Sequence, residues 1–378
     1  MAAEEIILVP GFLGFQRLWD LPYFSEAEDL LARPFRARGL DVHVRAIRTL
    51  PTASLGQRAA RLAEAVAEIP PGARVHLVGH STGGLDARLF LAPGASLPTD
   101  VDVDAAASRV RSLVTVATPH HGTPLATYMT GVHGHRALKL VSMLLSGVLH
   151  RSRRSMRGVR EISKAVLVLD SLAGIDERFA RRLGSELDSL LGELPPSANS
   201  VRRLLEDMGE DNALLEQLTP SSLELFNNAT RNRPDIDYGC VVAMAPPPTL
   251  RRRFRVGINP VAQLSYAVYS LLHRLTSSIR PRCLPTLADE QKRRLDAALP
   301  ATPTVDDSDG FVPSLSQVWG PVVAAASCDH LDLMGYFGRD GPAHAVDLLT
   351  CGADFGAAQF EAVWTAVAKF SLDSSAGY

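Results

Sequence analysis

RVHLVGHSTGGLDARLFL, residues 74–91, decides the fold of this chain. Val75, Leu77 and Val78 form a short apolar run with a β-branched bias, the pattern of a strand buried in a parallel sheet. Gly79-His80-Ser81-Thr82-Gly83 then fits G-x-S-x-G, in which a serine sits on a strained strand-to-helix turn with its Oγ exposed above the sheet. Glycines flank the serine because a side chain at either place would collide with the neighbouring strand or helix. Leu85, Leu89 and Phe90 give the following helix a short apolar face, and Pro93-Gly94 ends it. A surface Gly/Ser loop would satisfy the bare pattern too, but it would not carry a strand before it and a helix after it.

Upstream, Ile6 to Val9 reads as a strand, and Pro10-Gly11-Phe12-Leu13-Gly14-Phe15 follows as a Gly-rich apolar loop. In that position a loop can build half of an oxyanion hole. One N–H comes from the loop, here Phe12, and one from the residue after the serine, Thr82. Val42, Val44 and Ala46 alternate with polar residues as a half-buried strand does. Ser54 to Gln57 has capping-box spacing, and Leu55, Ala59, Leu62, Val66 and Ile69 keep one helical face. Strand and helix in alternation imply an α/β protein, a mostly parallel doubly wound sheet with helices on both faces.

Downstream, Val110 to Ala117 is another buried strand, followed by Thr118-Pro119-His120-His121-Gly122-Thr123-Pro124. Histidines in a Pro/Gly turn are more often hydrogen-bonded loop residues than bases, which is the expectation for His120 and His121. From Leu125 to about Pro234 the sheet rhythm stops, and an apolar helical run, Ala137 to Leu149, precedes a basic and then an acidic stretch. We expect a helical cap over residues 125–234, inserted into a core of residues 1–124 and 235–378. Leu138, Val141, Leu144, Leu145 and Val148 are either acyl-site lining or the cap's own core. Tyr238 to Ala245 returns as a strand; Arg251-Arg252-Arg253 then opens a second excursion, in which Val261 to Leu275 is an apolar helix expected to complete the pocket wall. Finally come Val305 to Pro313, a strand at Pro321 to Ala326, and Cys328-Asp329-His330-Leu331-Asp332. A serine triad in this fold class runs Ser, acid, His, each on a loop after a strand. Ser81 and His330 fit that order, whereas His344 sits in a Gly/Pro-rich approach to the last helix; Asp306, Asp307 and Asp309 compete for the acid.

The 378 residues are 46% hydrophobic and 21% charged, enough for a large core, and the net charge of -2 gives no reason to expect nucleic acid as a partner. The four cysteines are far apart, without metal-type spacing, and are expected reduced. The opening MAAEEIILVPGF has neither a basic segment nor a long apolar one, so the expected location is cytoplasmic, with secretion lacking a recognisable leader as the alternative. No apolar run has the length of a membrane span.

The PGFLGF loop and GHSTGG elbow together resemble the bacterial triacylglycerol lipases and esterases of the α/β-hydrolase fold, the family-I enzymes of pseudomonads and their relatives. Pro10 departs from the histidine usual there. The stretch Thr118 to Pro124 is similar to a structural loop of that family, and Leu218-Thr219 to Asn227-Asn228 to its exit from the lid. The D-G-x-V at Asp309 and the H-L-D at His330 resemble its acid and histidine loops. The resemblance implies a serine ester hydrolase acting on lipid-like acyl esters, with Ser81, Asp309 and His330 as triad and no organic cofactor. It also implies a structural calcium on Asp332, with Asp289 placed for the second carboxylate. Two other functions use the same sequence features: an acyltransferase or thioesterase with this triad, and a catalytically inactive binding protein on this fold. The expected partner is a small-molecule acyl ester or lipid, with transient lipid-surface contact through the cap. The sequence leaves the oligomeric state open.

Overall fold

The computed structural model describes residues 3–12, 17–18, 21–24, 26–50, 52–130, 213–277, 279–338 and 347–376. Six strands make one parallel sheet: β1 (Glu4–Val9), β2 (Val42–Ala46), β3 (Arg74–His80), β4 (Val110–Val116), β5 (Asp237–Ala243) and β6 (Val322–Ala326). Their order is β2-β1-β3-β4-β5-β6. Alternation along β1 explains why its run from Ile6 to Val9 is apolar without a break. Ile6 and Leu8 enter one buried cluster, Ile7 and Val9 the other.

Helices α1 (Ala27–Ala37), α2 (Leu55–Ala67), α3 (Thr82–Leu91) and α4 (Val103–Ala107) fall between the first strands. Next come α5 (Pro124–Thr130), α6 (Ala213–Gln217), α7 (Pro220–Ala229), α8 (Leu250–Arg255), α9 (Pro260–Thr276) and α10 (Asp289–Ala298). The closing helix is α11 (Ala357–Ala376). α2 and α3 cover one face of the sheet, with Leu62, Val66 and Phe90 against Ile7 and Leu77. α1 and α11 cover the other, with Leu31, Phe35, Trp364 and Val367 against Ile6 and Val114. The Ser54 side chain accepts from Gln57 N–H and caps α2.

The chain leaves β1 toward β2 on one side and leaves β3 toward β4 on the other. The carboxyl ends of β1 and β3 are therefore a topological switch point, where an open α/β sheet leaves a crevice. Pairing brings Val9 beside Gly79 and His80 beside Val116, so the Gly11–Phe12 loop and the serine turn meet there.

Among the described residues the sequence-derived elements form, but one role expected of them does not. α9 forms where expected, but none of its described side chains lines the cavity considered below. It packs against α5 instead, with Tyr269 and Leu272 buried. Leu138, Val141, Leu144, Leu145, Val148 and His344 lie outside the described residues. Cys240, Cys283, Cys328 and Cys351 are free thiols. No helix among the described residues is long and apolar enough to cross a membrane.

Candidate active site

Ser81 stands between β3 and α3 with φ 55° and ψ −129°, a conformation that L-residues rarely hold. Its N–H donates to Val116 O at 2.8 Å, which ties the turn to the neighbouring strand. The flanking glycines are required as the sequence suggested. A Cβ on Gly79 would lie 2.6 Å from the Gly84 backbone, and one on Gly83 2.2 Å from Val9 O. Thr82 is the first residue of α3, so its N–H has no intrahelical acceptor and points from the helix start.

Asp309 and His330 meet. His330 Nδ1 lies 2.7 Å from Asp309 Oδ2, and His330 N–H also donates to Asp309 O at 3.1 Å. The fully buried Asp309 carboxylate accepts three further hydrogen bonds: Phe311 N–H at 2.8 Å and Val312 N–H at 2.7 Å on Oδ1, Gln317 Nε2 at 3.1 Å on Oδ2. Gln317 is fixed in turn by Ala243 at the end of β5, accepting from its N–H at 2.7 Å. Asp307, by contrast, caps Thr304 N–H at 2.8 Å, and Asp306 is exposed. The geometry therefore singles out Asp309 as the partner of His330.

Ser81, His330, Phe12 and Thr82 all line one cavity of about 110 Å³. Its other walls are almost wholly apolar, with Leu125, Met129, Leu215 and Leu218 from α5, α6 and the turn after α6, and Phe311, Val312 and Met334 opposite them. The described ends of the long insertion thus supply one wall. The Phe311 ring lies 5.2 Å from the His330 ring, centroid to centroid.

A buried hydrogen-bond chain beside the serine was not foreseen. Gly11 N–H donates to Tyr23 OH at 2.8 Å, Tyr23 OH lies 2.9 Å from His80 Nδ1, and His80 Nε2 lies 3.2 Å from His330 O. A carbonyl only accepts, so His80 Nε2 carries the proton. Nδ1 then accepts from the tyrosine, and the tyrosine oxygen accepts from Gly11. This assignment needs a neutral His80, and burial holds its pKa well below the usual histidine range. One imidazole thereby links the Gly11–Phe12 loop to the His330 loop.

Arg58 of α2 holds the same loop from behind. It is fully buried, lies 2.8 Å from Asp86, and donates to Pro10 O at 2.8 Å, Gly11 O at 3.1 Å and Leu50 O at 2.7 Å. Binding the carbonyls of Pro10 and Gly11 fixes the planes of the peptides that lead into Phe12. Burial pushes the Asp86 carboxyl up to about 6, against the attraction of Arg58.

His120 lies apart from the cavity and is structural. Its Nε2 is 3.0 Å from Thr115 Oγ1, its Nδ1 is 3.2 Å from Arg88, and its ring stacks on Trp319 at 5.3 Å. The Arg88 guanidinium lies over Trp319, 3.4 Å from the ring centroid, and donates to Asn227 Oδ1 at 2.9 Å. The stretch around Phe226-Asn227 is thus tied to the loop after β4. His121 is also outside the cavity lining, and burial pulls its pKa down to about 4.

Around Asp332, where the family resemblance places a structural calcium, the described donors are mixed. Asp329, Asp332 and Cys351 bring ligand atoms within 4.8 Å of one another, and all three are buried. Calcium takes six to eight oxygens, which a thiol cannot supply. Backbone N–H groups already occupy Asp329 Oδ1, from Leu331 and Asp332, and Asp332 Oδ2, from Asp329. Burial pushes both carboxyls well above the usual range, with repulsion from Asp347 on each and from Asp329 on Asp332 acting in the same direction. Asp289, the expected second ligand, is exposed at the start of α10 and is not in this cluster.

No family model and no curated protein matches the chain in sequence. Solved structures do match in fold. Lipase 1 from Pelosinus fermentans is 15% identical, with 98% of this chain and 99% of that one covered at a TM-score of 0.53. A metagenomic carboxyl esterase is 16% identical, with 99% and 76% covered at a TM-score of 0.51. With the parallel sheet and flanking helices, these likenesses make the fold an α/β-hydrolase fold.

Proposed function

We propose that this protein is a serine carboxylic-ester hydrolase for lipid-like acyl esters. One observation carries the reading: His330, bonded at 2.7 Å to the buried Asp309 behind it, lines the same apolar cavity as a serine held at φ 55°. In this mechanism Ser81 Oγ attacks the ester carbonyl. His330 takes the serine proton on Nε2, because Nδ1 is engaged by Asp309, and then passes it to the leaving alcohol. Asp309 orients the ring and stabilises the imidazolium. The N–H groups of Phe12 and Thr82 hold the oxyanion, at roughly 3–4 kcal/mol per donor. Water releases the acyl group by the reverse sequence, and no metal enters any step. The apolar walls supplied by Leu125, Met129, Leu215 and Leu218 suit an acyl chain, which supports residues 125–234 as a cap over the site. The structural neighbours, described as a lipase and a carboxyl esterase, agree with this chemistry.

The test is hydrolysis of p-nitrophenyl esters from acetate to palmitate by wild type and Ser81→Ala, with fluorophosphonate labelling alongside. Serine-dependent turnover that favours long chains supports a lipase, and turnover confined to short chains a carboxylesterase. Labelling at Ser81 without hydrolysis would move the reading to an acyltransferase or thioesterase. Neither labelling nor turnover would leave a binding protein on this fold.

A further inference from the structure

The excursion between β5 and β6 carries features that the chemistry above does not use. From Tyr238 to Ala288 the chain has seven arginines and no aspartate or glutamate, in a protein of net charge -2. Four of these, Arg251, Arg252, Arg253 and Arg255, fall in α8. That helix buries none of its residues. Leu250 is 73% exposed, Phe254 83% and Ile258 99%. A spacing of four puts Leu250 and Phe254 on one face of the helix, and Ile258 follows just past the turn at Gly257.

The segment is nevertheless built into the protein. Thr249 caps the helix through Arg252 N–H, and Thr249 N–H donates to Tyr266 OH at 2.9 Å. Gln263 Nε2 donates to Arg253 O at 2.9 Å, and Arg252 donates to Gly352 O at 3.3 Å. Large apolar side chains are thus held out in water among cations. α8 also follows the carboxyl end of β5, on the edge of the sheet where Ser81 and His330 lie.

We propose that α8 and the turn through Ile258 form a docking site for an anionic lipid surface. Leu250, Phe254 and Ile258 enter the boundary between headgroups and acyl chains, while the arginines meet the negative headgroups. Charge complementarity selects this occupant. A second copy would bring arginines against arginines. A polyanion such as nucleic acid would pair with the arginines but leave the three apolar side chains in water, whereas an anionic bilayer takes both.

The inference does not depend on the ester-hydrolase reading, and its test measures binding alone. The full chain is sedimented with vesicles of phosphatidylcholine, with and without a minority of phosphatidylglycerol, at low and high salt. Wild type is expected to bind the anionic vesicles, to release them as salt rises, and to bind pure phosphatidylcholine weakly. Arg251→Gln with Arg253→Gln and Arg255→Gln should weaken anionic binding about a hundredfold, from roughly fivefold per arginine. Phe254→Ser with Ile258→Ser should weaken it at least about tenfold. Near-UV circular dichroism of both variants should match wild type, because the replaced side chains are exposed. Unaltered binding by either folded variant would overturn the proposal, as would failure of wild type to bind or binding to DNA in place of vesicles.

Discussion

Tyr23→Phe isolates the buried hydrogen-bond chain beside the serine. The substitution keeps the ring and removes one oxygen, which accepts from Gly11 N–H at 2.8 Å and reaches His80 Nδ1 at 2.9 Å. Both partners are buried, and Gly11 is joined directly to Phe12, the proposed oxyanion donor. Each orphaned group costs about 1–3 kcal/mol, so the variant should lose about 3 kcal/mol of stability. Complete loss of one oxyanion donor lowers kcat by about 100- to 1,000-fold. Gly11 loses an anchor here while the Arg58 contacts remain, so roughly a tenfold fall in kcat is expected, with KM within about twofold. Urea denaturation reads the first effect and p-nitrophenyl ester kinetics the second. A boronic-acid transition-state analogue should lose affinity in parallel with kcat. If stability falls but kcat and analogue affinity stay at wild-type values, the tyrosine supports the fold and positions nothing. Wild-type values in all three would refute the hydrogen-bond chain itself.

Other substitutions test other joints of the same site. Arg58→Lys keeps a charge but cannot span Asp86, Pro10 O, Gly11 O and Leu50 O together; a loss of about 3 kcal/mol in urea denaturation is expected, with a larger proportional fall in kcat than in 1/KM. Gly83→Ala puts a Cβ 2.2 Å from Val9 O, with backbone on both sides, and should destabilise by about 3 kcal/mol in the same assay. His121→Gln tests a pH term. Burial lowers this histidine from 6.5 to about 4, so the unfolded chain binds a proton that the folded one does not, and wild type loses stability as pH falls through that window. Between pH 8 and pH 4 the wild type should lose about 3 kcal/mol more than the variant, measured by denaturant unfolding at both pH values.

Local pattern carried much of this structure. The strand at Val75 to Val78, the glycines around Ser81 and the helix after it follow from side-chain volume and spacing within a few residues. The order Ser81, Asp309, His330 could be proposed from the sequence because Ser81 and His330 each follow a strand that was itself legible. What stayed hidden depends on partners far apart in the chain. Tyr23 and His80 are 57 positions apart, and nothing local marks a tyrosine that bridges a loop N–H to an imidazole. Arg58 did leave a trace, since it lies among Leu55, Ala59 and Leu62 on the buried face of α2, where a cation needs a buried partner. Gln317 left none. Asp289 was placed by distance along the chain, and the three-dimensional neighbours of Asp332 turned out to be Asp329 and Cys351.

The strain at Ser81 and the polar ties around it are parts of one arrangement. A backbone held at φ 55° costs about 1–3 kcal/mol and persists only where its surroundings over-determine it. Here the glycines allow β3 and α3 to pack almost in contact, and Val116 O fixes the serine N–H. The cavity in front is apolar and supplies few hydrogen bonds, so the loops that must face it are held from behind. Arg58 grips the carbonyls of the Gly11 loop, Gln317 grips Asp309, and His80 reaches the Gly11 loop through Tyr23 and the His330 loop directly. Each tie is a buried polar group whose own bonds are completed by another loop. That coupling requires the effects of Tyr23→Phe and His80→Leu on kcat to be non-additive, since either change breaks the same chain between Gly11 and His330. Additive effects in the double variant would mean that the two loops are positioned independently.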